Sequence, residues 1–373
     1  MIPVYKPYLN DQTLTHAHDA LDSTWISSTG DYLDFAEEKL EELLGVKHVL
    51  LTNNGTSATH LVVKSLKHKY PNIKTIIAPN NAYVAAWNTL FYDENNWDVV
   101  LLDTDIATWN ANYENLNLDN EENTAFLIVH NLGNIVDVPK LKKRFPKAVF
   151  IEDNCEGFLG RYDNYKSYSG TSCLCSALSF YSNKTITCGE GGALVTNDED
   201  VYNFALKSRN QGQTSRKYLH DIMGYNYRMT NVQAAILLGQ LLSLDEILEK
   251  KLNIFDRYKT EFIEDPIYYQ SIEPGTMPAN WMMGIGMFGL HNYKRTEKHF
   301  KSKGIEIRPM FYSASKHKHL SDKVICDSYQ ISDILSYECF MLPSYPGLTE
   351  DEQTYIIKEV KEYASIIEES TRE

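Results

Sequence analysis

The sequence predicts an α/β fold: a large domain with a mostly parallel mixed sheet flanked by helices, followed by a smaller C-terminal α+β domain. Three observations predict it. Over the first half, short apolar runs alternate with helical patterns, the signature of βαβ units. Those runs are apolar at nearly every position, as expected of strands covered by helices on both faces. From about residue 230 the pattern changes to long helices, with no internal repeat or low-complexity linker. A chain of 373 residues can hold two lobes, and a soft boundary falls near residue 245, giving 1–245 and 246–373.

The elements follow in order. "KHVLLT" (47–52) is a strand that runs into the turn-forming "NNG", and "TSATHLVVKSL" (56–66) is the helix after it. "TIIAP" (75–79) is the next strand and "AYVAAWNTLFY" (82–92) the next helical pattern. Strands follow at "WDVVLLD" (97–103), "AFLIVH" (125–130) and "AVFIED" (148–153). In "ALSFYSNKTITCGEGGALVTND" (177–198) one apolar run leads into Lys184 and a second leaves after a glycine-rich turn. Residues 231–263 carry apolar side chains at helical spacing for many turns and suit a bridge between the lobes. The remainder holds a strand-like run at 283–290, a helix around 294–304 and a closing helix at 350–367.

Composition narrows the class. With 43% hydrophobic and 23% charged residues the chain is ordinary globular protein. No window approaches eighteen apolar residues and the N-terminus lacks a secretory pattern, so a soluble, cytoplasmic protein is expected. Thirty-six basic against 50 acidic residues give a net charge of −14, which argues against nucleic-acid and anionic-membrane partners and requires any anionic ligand to be held locally. The six cysteines (155, 173, 175, 188, 326, 339) contain no C-x-x-C pair and are expected as reduced thiols. His317 and His319 in "KHKHL" lack nearby acidic or cysteine ligands; the expectation is a solvated loop and no metal.

Three stretches carry chemistry. In "TNNGTSATHL" (52–61) a strand ends, Gly55 permits a tight turn, and Thr56 and Ser57 open a helix whose free N–H groups suit a phosphate, although such hydroxyls also serve as plain N-caps. In "AVFIEDNCEGFLG" (148–160) a strand delivers Glu152 and Asp153 at its C-terminal edge, where open α/β sheets bind ligands. A carboxylate there can hold a protonated ring nitrogen, or simply start a turn. Lys184 stands between Ser179 and Gly189, Gly191 and Gly192; a lysine amine whose pKa is lowered traps carbonyls, although a lysine on a turn is more often solvated and the glycines can serve the turn alone. Together, a phosphate cradle, a carboxylate and a lysine are the three handles of pyridoxal 5′-phosphate (PLP). Tyr83, at the start of the next helix, can offer a ring face to stack on it.

The stretches "SFYSNKTITCGEGGALVTND", "IEDNCEGFLG", "NGTSATHL", "STWISSTGDY", "HDIMGYNYRMTNVQAAI" and "LPSYPGLTEDE" resemble the DegT/DnrJ/EryC1/StrS family, sugar-nucleotide aminotransferases of PLP fold type I. The resemblance covers essentially the whole chain and is strongest to members that aminate C4 of 4-keto-6-deoxy sugars, making viosamine or perosamine for glycans. It implies that Lys184 is the Schiff-base lysine and Asp153 the partner of the pyridine nitrogen. It implies further that Thr56, Ser57 and Ser179 contact the phosphate, that Tyr83 stacks on the ring, and that Asn226 reaches the phosphate of a neighbouring subunit in a homodimer. Glu156 replaces the glutamine of many members and falls near the ring hydroxyl or the substrate. Arg308 matches a basic position near the substrate; as aromatic and basic side chains, Trp25, Tyr218, His220, Trp281 and Arg308 can bind base, ribose or diphosphate, and Ser27 is a further substrate-binding candidate. L-glutamate is the implied amino donor, and a UDP- or dTDP-linked viosamine-type substrate is preferred over a GDP-perosamine type. The dehydratase branch carries histidine in place of Lys184. Alternatives are a 3-aminotransferase and a non-catalytic protein on the same scaffold.

Overall fold

The computed structural model describes residues 1–93, 95–287, 289, 293–326 and 328–372. Among them the strands are β1 His48–Thr52, β2 Thr75–Pro79, β3 Asp98–Leu102, β4 Thr124–Val129, β5 Val149–Asp153, β6 Arg161–Tyr162, β7 Ser167–Tyr168, β8 Ser176–Ser179, β9 Gly192–Thr196, β10 Met283–Gly286, β11 Arg308–Pro309, β12 Val324–Cys326 and β13 Cys339–Leu342. The α-helices are α1 Asp11–Asp22, α2 Asp31–Leu44, α3 Gly55–Lys69, α4 Val84–Asn88, α5 Val138–Arg144, α6 Glu199–Arg209, α7 Asn231–Leu242, α8 Leu244–Glu261, α9 Tyr293–Ser302, α10 Gln330–Glu338 and α11 Glu350–Arg372. The strand-like run at 283–290 is a strand over its first part; Phe288 and Leu290 lie outside the described residues.

An eight-stranded sheet of order β1-β9-β8-β5-β4-β2-β3-β12 forms the large layer, and within it β9 alone runs against its neighbours. All six residues of β4 are buried, as the uniformly apolar run demands. The strand ends of β1, β2, β4, β5 and β8 therefore share one edge of the sheet, the edge at which an open α/β sheet places ligands. A second sheet, β10-β13-β11, is antiparallel and builds a separate core with Ile254, Phe255, Tyr258, Phe300 and Val360.

The helical run 231–263 is two helices. Thr230 and Gln233 form a capping box at the start of α7. At Ser243 the helix breaks: its hydroxyl donates to the Gly239 carbonyl (3.1 Å), a local bond that competes with the helical ladder. We propose the division near residue 245 at this break, and two segments cross it. Val4 and Tyr5 pack in the second core, and β12 pairs with β3 at the edge of the large sheet. The two halves also meet at Gly284, where a Cβ would lie 2.6 Å from the Trp109 ring.

Candidate active site

One cavity of about 990 Å³ opens at the shared strand edge, and Thr56, Ser57, Tyr83, Asp153, Glu156, Ser179, Lys184 and Arg308 line it. Three elements of the large sheet make its floor. Asn54 caps α3 by accepting from the Ser57 N–H (2.8 Å), which leaves the hydroxyls of Thr56 and Ser57 at the helix start with first-turn N–H groups that have no intrahelical acceptor. A Cβ on Gly55 would sit 2.7 Å from the Ser179 Cβ, so glycine lets the start of α3 close onto the end of β8 and gathers three hydroxyls at one place. That cradle, its hydroxyls and the helix dipole fit a phosphate.

The second element is β5, whose last two residues part company. Side chains alternate along a strand, and Asp153 lines the cavity while Glu152 points to the opposite face. There His130 Nε2 donates to Glu152 Oε2 (2.8 Å), its tautomer set by the Val136 N–H that donates to Nδ1 (3.1 Å). Asp153 is 6% exposed and accepts from the Cys155 N–H (3.2 Å). Glu156, also buried, accepts from the Leu132 N–H (2.9 Å). Burial pushes its carboxyl up to about 7, against the opposing pull of Lys184. Burial likewise raises the Cys155 thiol, so it is an inert wall of the cavity.

The third element is the turn after β8. Lys184 N–H donates to the Tyr181 carbonyl (2.8 Å), closing a turn that presents the side chain to the cavity. Its Nζ lies 3.7 Å from the centre of the Trp281 ring, a cation–π contact. Trp281 Nε1 donates to the Asn183 carbonyl (2.8 Å) and Tyr5 hydroxyl to the Lys184 carbonyl (2.7 Å). Both come from the second core. Sequence reasoning grouped Trp281 only with nucleotide-binding aromatics and did not see Tyr5, since nothing near either residue signals a lysine so distant in the chain.

Other sites lie elsewhere. Trp25, exposed, lines a second cavity with Arg209 and Arg228, and its loop is pinned to α7: Asn231 Nδ2 donates to the Trp25 carbonyl (2.7 Å) and Asn231 N–H to the Ser27 carbonyl (2.6 Å). Ser27, Tyr218, His220 and Asn226 are all exposed, and none of them lines the main cavity. Asn226 stands between Tyr225 and Tyr227, whose rings stack at 4.9 Å beside His60. Tyr83 is 57% exposed and meets Phe311 edge to face.

His317 corrects an expectation. Its loop is not simply solvated: Ala314 N–H donates to the Asn80 carbonyl and side-chain oxygen (3.2 and 3.1 Å), folding the loop back so that His317 lines the cavity beside the Trp87 ring. Burial and the neighbouring His319 push its imidazole below the usual range. Among the described residues no cluster of His, Cys, Asp or Glu could hold a metal ion, the six cysteines are free, and no helix is long and apolar enough to cross a membrane.

A family model for DegT/DnrJ/EryC1/StrS aminotransferases matches residues 7–361. The chain belongs to that family. The GDP-perosamine synthase of Escherichia coli O157:H7 is 33% identical over 368 residues, covering 98% of this chain and 99% of that protein. The GDP-perosamine synthase of Vibrio cholerae is 32% identical over 376 residues, covering 98% and 100%. Among solved structures, Helicobacter pylori PseC, an aminotransferase of pseudaminic acid biosynthesis, matches with a TM-score of 0.88 at 22% identity over 97% of this chain and 98% of that one. An E. coli GDP-4-keto-6-deoxy-D-mannose-3-dehydratase with bound hydrated PLP also gives 0.88, at 21% identity over 97% and 99%. The fold is thus that of this family, and the family is PLP-dependent; this chain is an aminotransferase with PLP as its cofactor. The cavity residues fit it: hydroxyls and a helix start for the phosphate, a buried carboxylate for the ring nitrogen, and an amine for the carbonyl.

Proposed function

We propose that this aminotransferase moves an amino group from L-glutamate to C4 of a GDP-linked 4-keto-6-deoxyhexose, a perosamine-type product. The observation that carries the reading is a single cavity that gathers Lys184, Asp153 and the Thr56, Ser57 and Ser179 hydroxyls. The GDP preference rests on three relatives above 30% identity, all of which are GDP-perosamine synthases. It displaces the viosamine-type UDP or dTDP substrate, preferred from the sequence, to second place.

PLP bound there supplies an electron sink for the carbanion charge that develops when the α-proton leaves. Lys184 Nζ is the base that takes the α-proton of glutamate and, in the second half-reaction, the acid that returns a proton to C4 of the sugar. The Asp153 carboxylate, which accepts from the Cys155 N–H, would hold positive charge at the ring nitrogen. Glu156 stands near neutrality in the same cavity and can donate or accept next to the ring hydroxyl or the substrate. Arg308 brings a positive charge to the cavity mouth for the substrate's diphosphate. The exposed Asn226 and the loop carrying Tyr218 and His220 are proposed to complete the cavity of a second copy in a homodimer, a reading supported by their position outside their own cavity.

An absorbance spectrum of the protein with PLP tests the proposal. The expected band bleaches with L-glutamate and returns with the GDP-linked keto sugar. Return with only UDP- or dTDP-linked sugars supports the viosamine-type reading, and an amine at C3 in the product makes the enzyme a 3-aminotransferase. A spectrum without the band removes Lys184 from catalysis, and an active monomer in light scattering removes the shared site.

A further inference from the structure

Lys251 on α8 is 1% exposed, and among the described residues no carboxylate pairs with it. Its Nζ donates to the Trp281 carbonyl (2.8 Å) and to the Ser344 carbonyl, and it lies 5.6 Å from the Tyr5 ring centre and 5.0 Å from that of Phe255. Burial alone pushes the amine down to about 7. An amine without a counter-ion is a costly way to fill a core position where methionine would pack as well. Lys251 does not line the active-site cavity, and the reaction uses it at no step.

Its neighbours give it a purpose. Two of the residues it touches, Trp281 and Tyr5, also hold Lys184. Trp281 donates to the Asn183 carbonyl and sets its ring under the Lys184 amine at 3.7 Å, and Tyr5 donates to the Lys184 carbonyl. Two routes of direct contact therefore run from one buried amine to the backbone and the side chain of the reacting lysine. The bond to Ser344 ties the same amine to the segment just after β13, which joins the second sheet to the arrangement.

We propose that Lys251 is a positioning residue for Lys184, fixing through Trp281 and Tyr5 the depth and direction at which the Lys184 amine enters the cavity. This rests on the reading of Lys184 as the reacting amine. A misplacement of about an ångström at a reacting group costs on the order of 10²-fold in rate, so a partial loss of aim is expected to cost roughly tenfold.

The test compares wild type with Lys251→Met, which keeps an unbranched buried chain and removes its N–H donors, and with Lys251→Gln, which keeps two of them. Circular dichroism and thermal unfolding select the folded variants, and Lys251→Gln carries the test should Lys251→Met not fold. Two readouts are taken on Lys184. In cofactor-free protein, acylation of each lysine by an amine reagent is followed by peptide mass spectrometry, with exposed Lys140 and Lys358 as internal controls. In PLP-loaded protein, the limiting single-turnover rate (kcat of this half-reaction) and the half-saturating glutamate concentration (its KM) are measured. Expected is a changed acylation rate at Lys184 with unchanged controls, a kcat lowered roughly tenfold at similar KM, and a smaller effect in Lys251→Gln. Combining Lys251→Met with Tyr5→Phe is expected to cost less than the product of the two single losses, because one of the two routes from Lys251 runs through Tyr5. Unchanged Lys184 acylation and kcat in a folded variant, or fully multiplicative losses, overturn the positioning role. Wild-type Lys184 that yields no borohydride-trapped PLP adduct overturns instead the reading on which it rests.

Discussion

The floor and the roof of the cavity are built differently. The floor is made of strand ends and a helix start from one sheet: Asp153 at the end of β5, Ser179 at the end of β8, Thr56 and Ser57 at the start of α3. Each is held by short-range bonds, such as Asn54 to Ser57 and Asp153 to Cys155. The roof is made by Trp281 of the second core, which reaches across to the backbone of the Lys184 turn, with Tyr5 bonding that turn from behind the cavity lining. On the proposed reading, the floor carries charge and chemistry and the roof carries aim. The difference predicts that floor substitutions remove the reaction while roof substitutions weaken it.

The largest effect is expected at Lys184. Lys184→Gln should lower the glutamate half-reaction by about 10⁴-fold or more, since proton transfer by a placed side chain contributes about 10²–10⁴-fold and the covalent link to the cofactor is lost as well. Single-turnover absorbance checks it, and a residual rate within tenfold of wild type would put the reacting amine elsewhere. Asp153→Asn should retain bound cofactor and lose about 10²–10³-fold in turnover, because a neutral amide cannot hold the ring charge. Near-normal turnover with full PLP content would refute the assignment of Asp153.

Glu156 tests the floor through stability. Its folded carboxyl is raised from 4.5 to about 7 by burial, so between those values the folded chain binds more protons than the unfolded one. Stability contributed at this site therefore falls as pH rises through that window. Above it the penalty is about 3 kcal/mol, and Glu156→Gln, whose amide oxygen can still accept from Leu132, should relieve it. Denaturation of cofactor-free protein across a pH series should show the variant's advantage growing from nothing below pH 4.5 to a plateau above about pH 7. An advantage independent of pH would show that the carboxyl is not held in this way. The smallest effect belongs to the roof: Trp281→Phe keeps a ring under Lys184 and deletes the bond to Asn183, for an expected loss of about fivefold in kcat, of the order of one hydrogen bond. A loss as deep as that of Asp153→Asn would erase the distinction between floor and roof.

Much of the floor was legible from short stretches. The hydroxyls after Gly55, the carboxylates closing "VFIED" and the lysine before a glycine-rich turn are each read within a dozen residues, and alternation at strand ends is a local property. Alternation alone does not say which of Glu152 and Asp153 faces the ligand. That choice came from packing, which gave His130 to one and the cavity to the other. The "KHKHL" loop misled because its polar composition suits solvent, while the Asn80 bonds that fold it inward come from a distant strand end.

The amino-acid sequence by itself determined the alternation of strands and helices, the capped start of α3, and the three kinds of chemical group at the strand edge, because periodicity, caps and turns are encoded in neighbouring residues. Only the tertiary structure decided that Trp281 lies under Lys184, that Tyr5 grips its carbonyl, and that a buried Lys251 stands behind both. Those contacts join segments far apart in the chain, and it is the closing of two cores against each other, not any local pattern, that brings them within bonding distance.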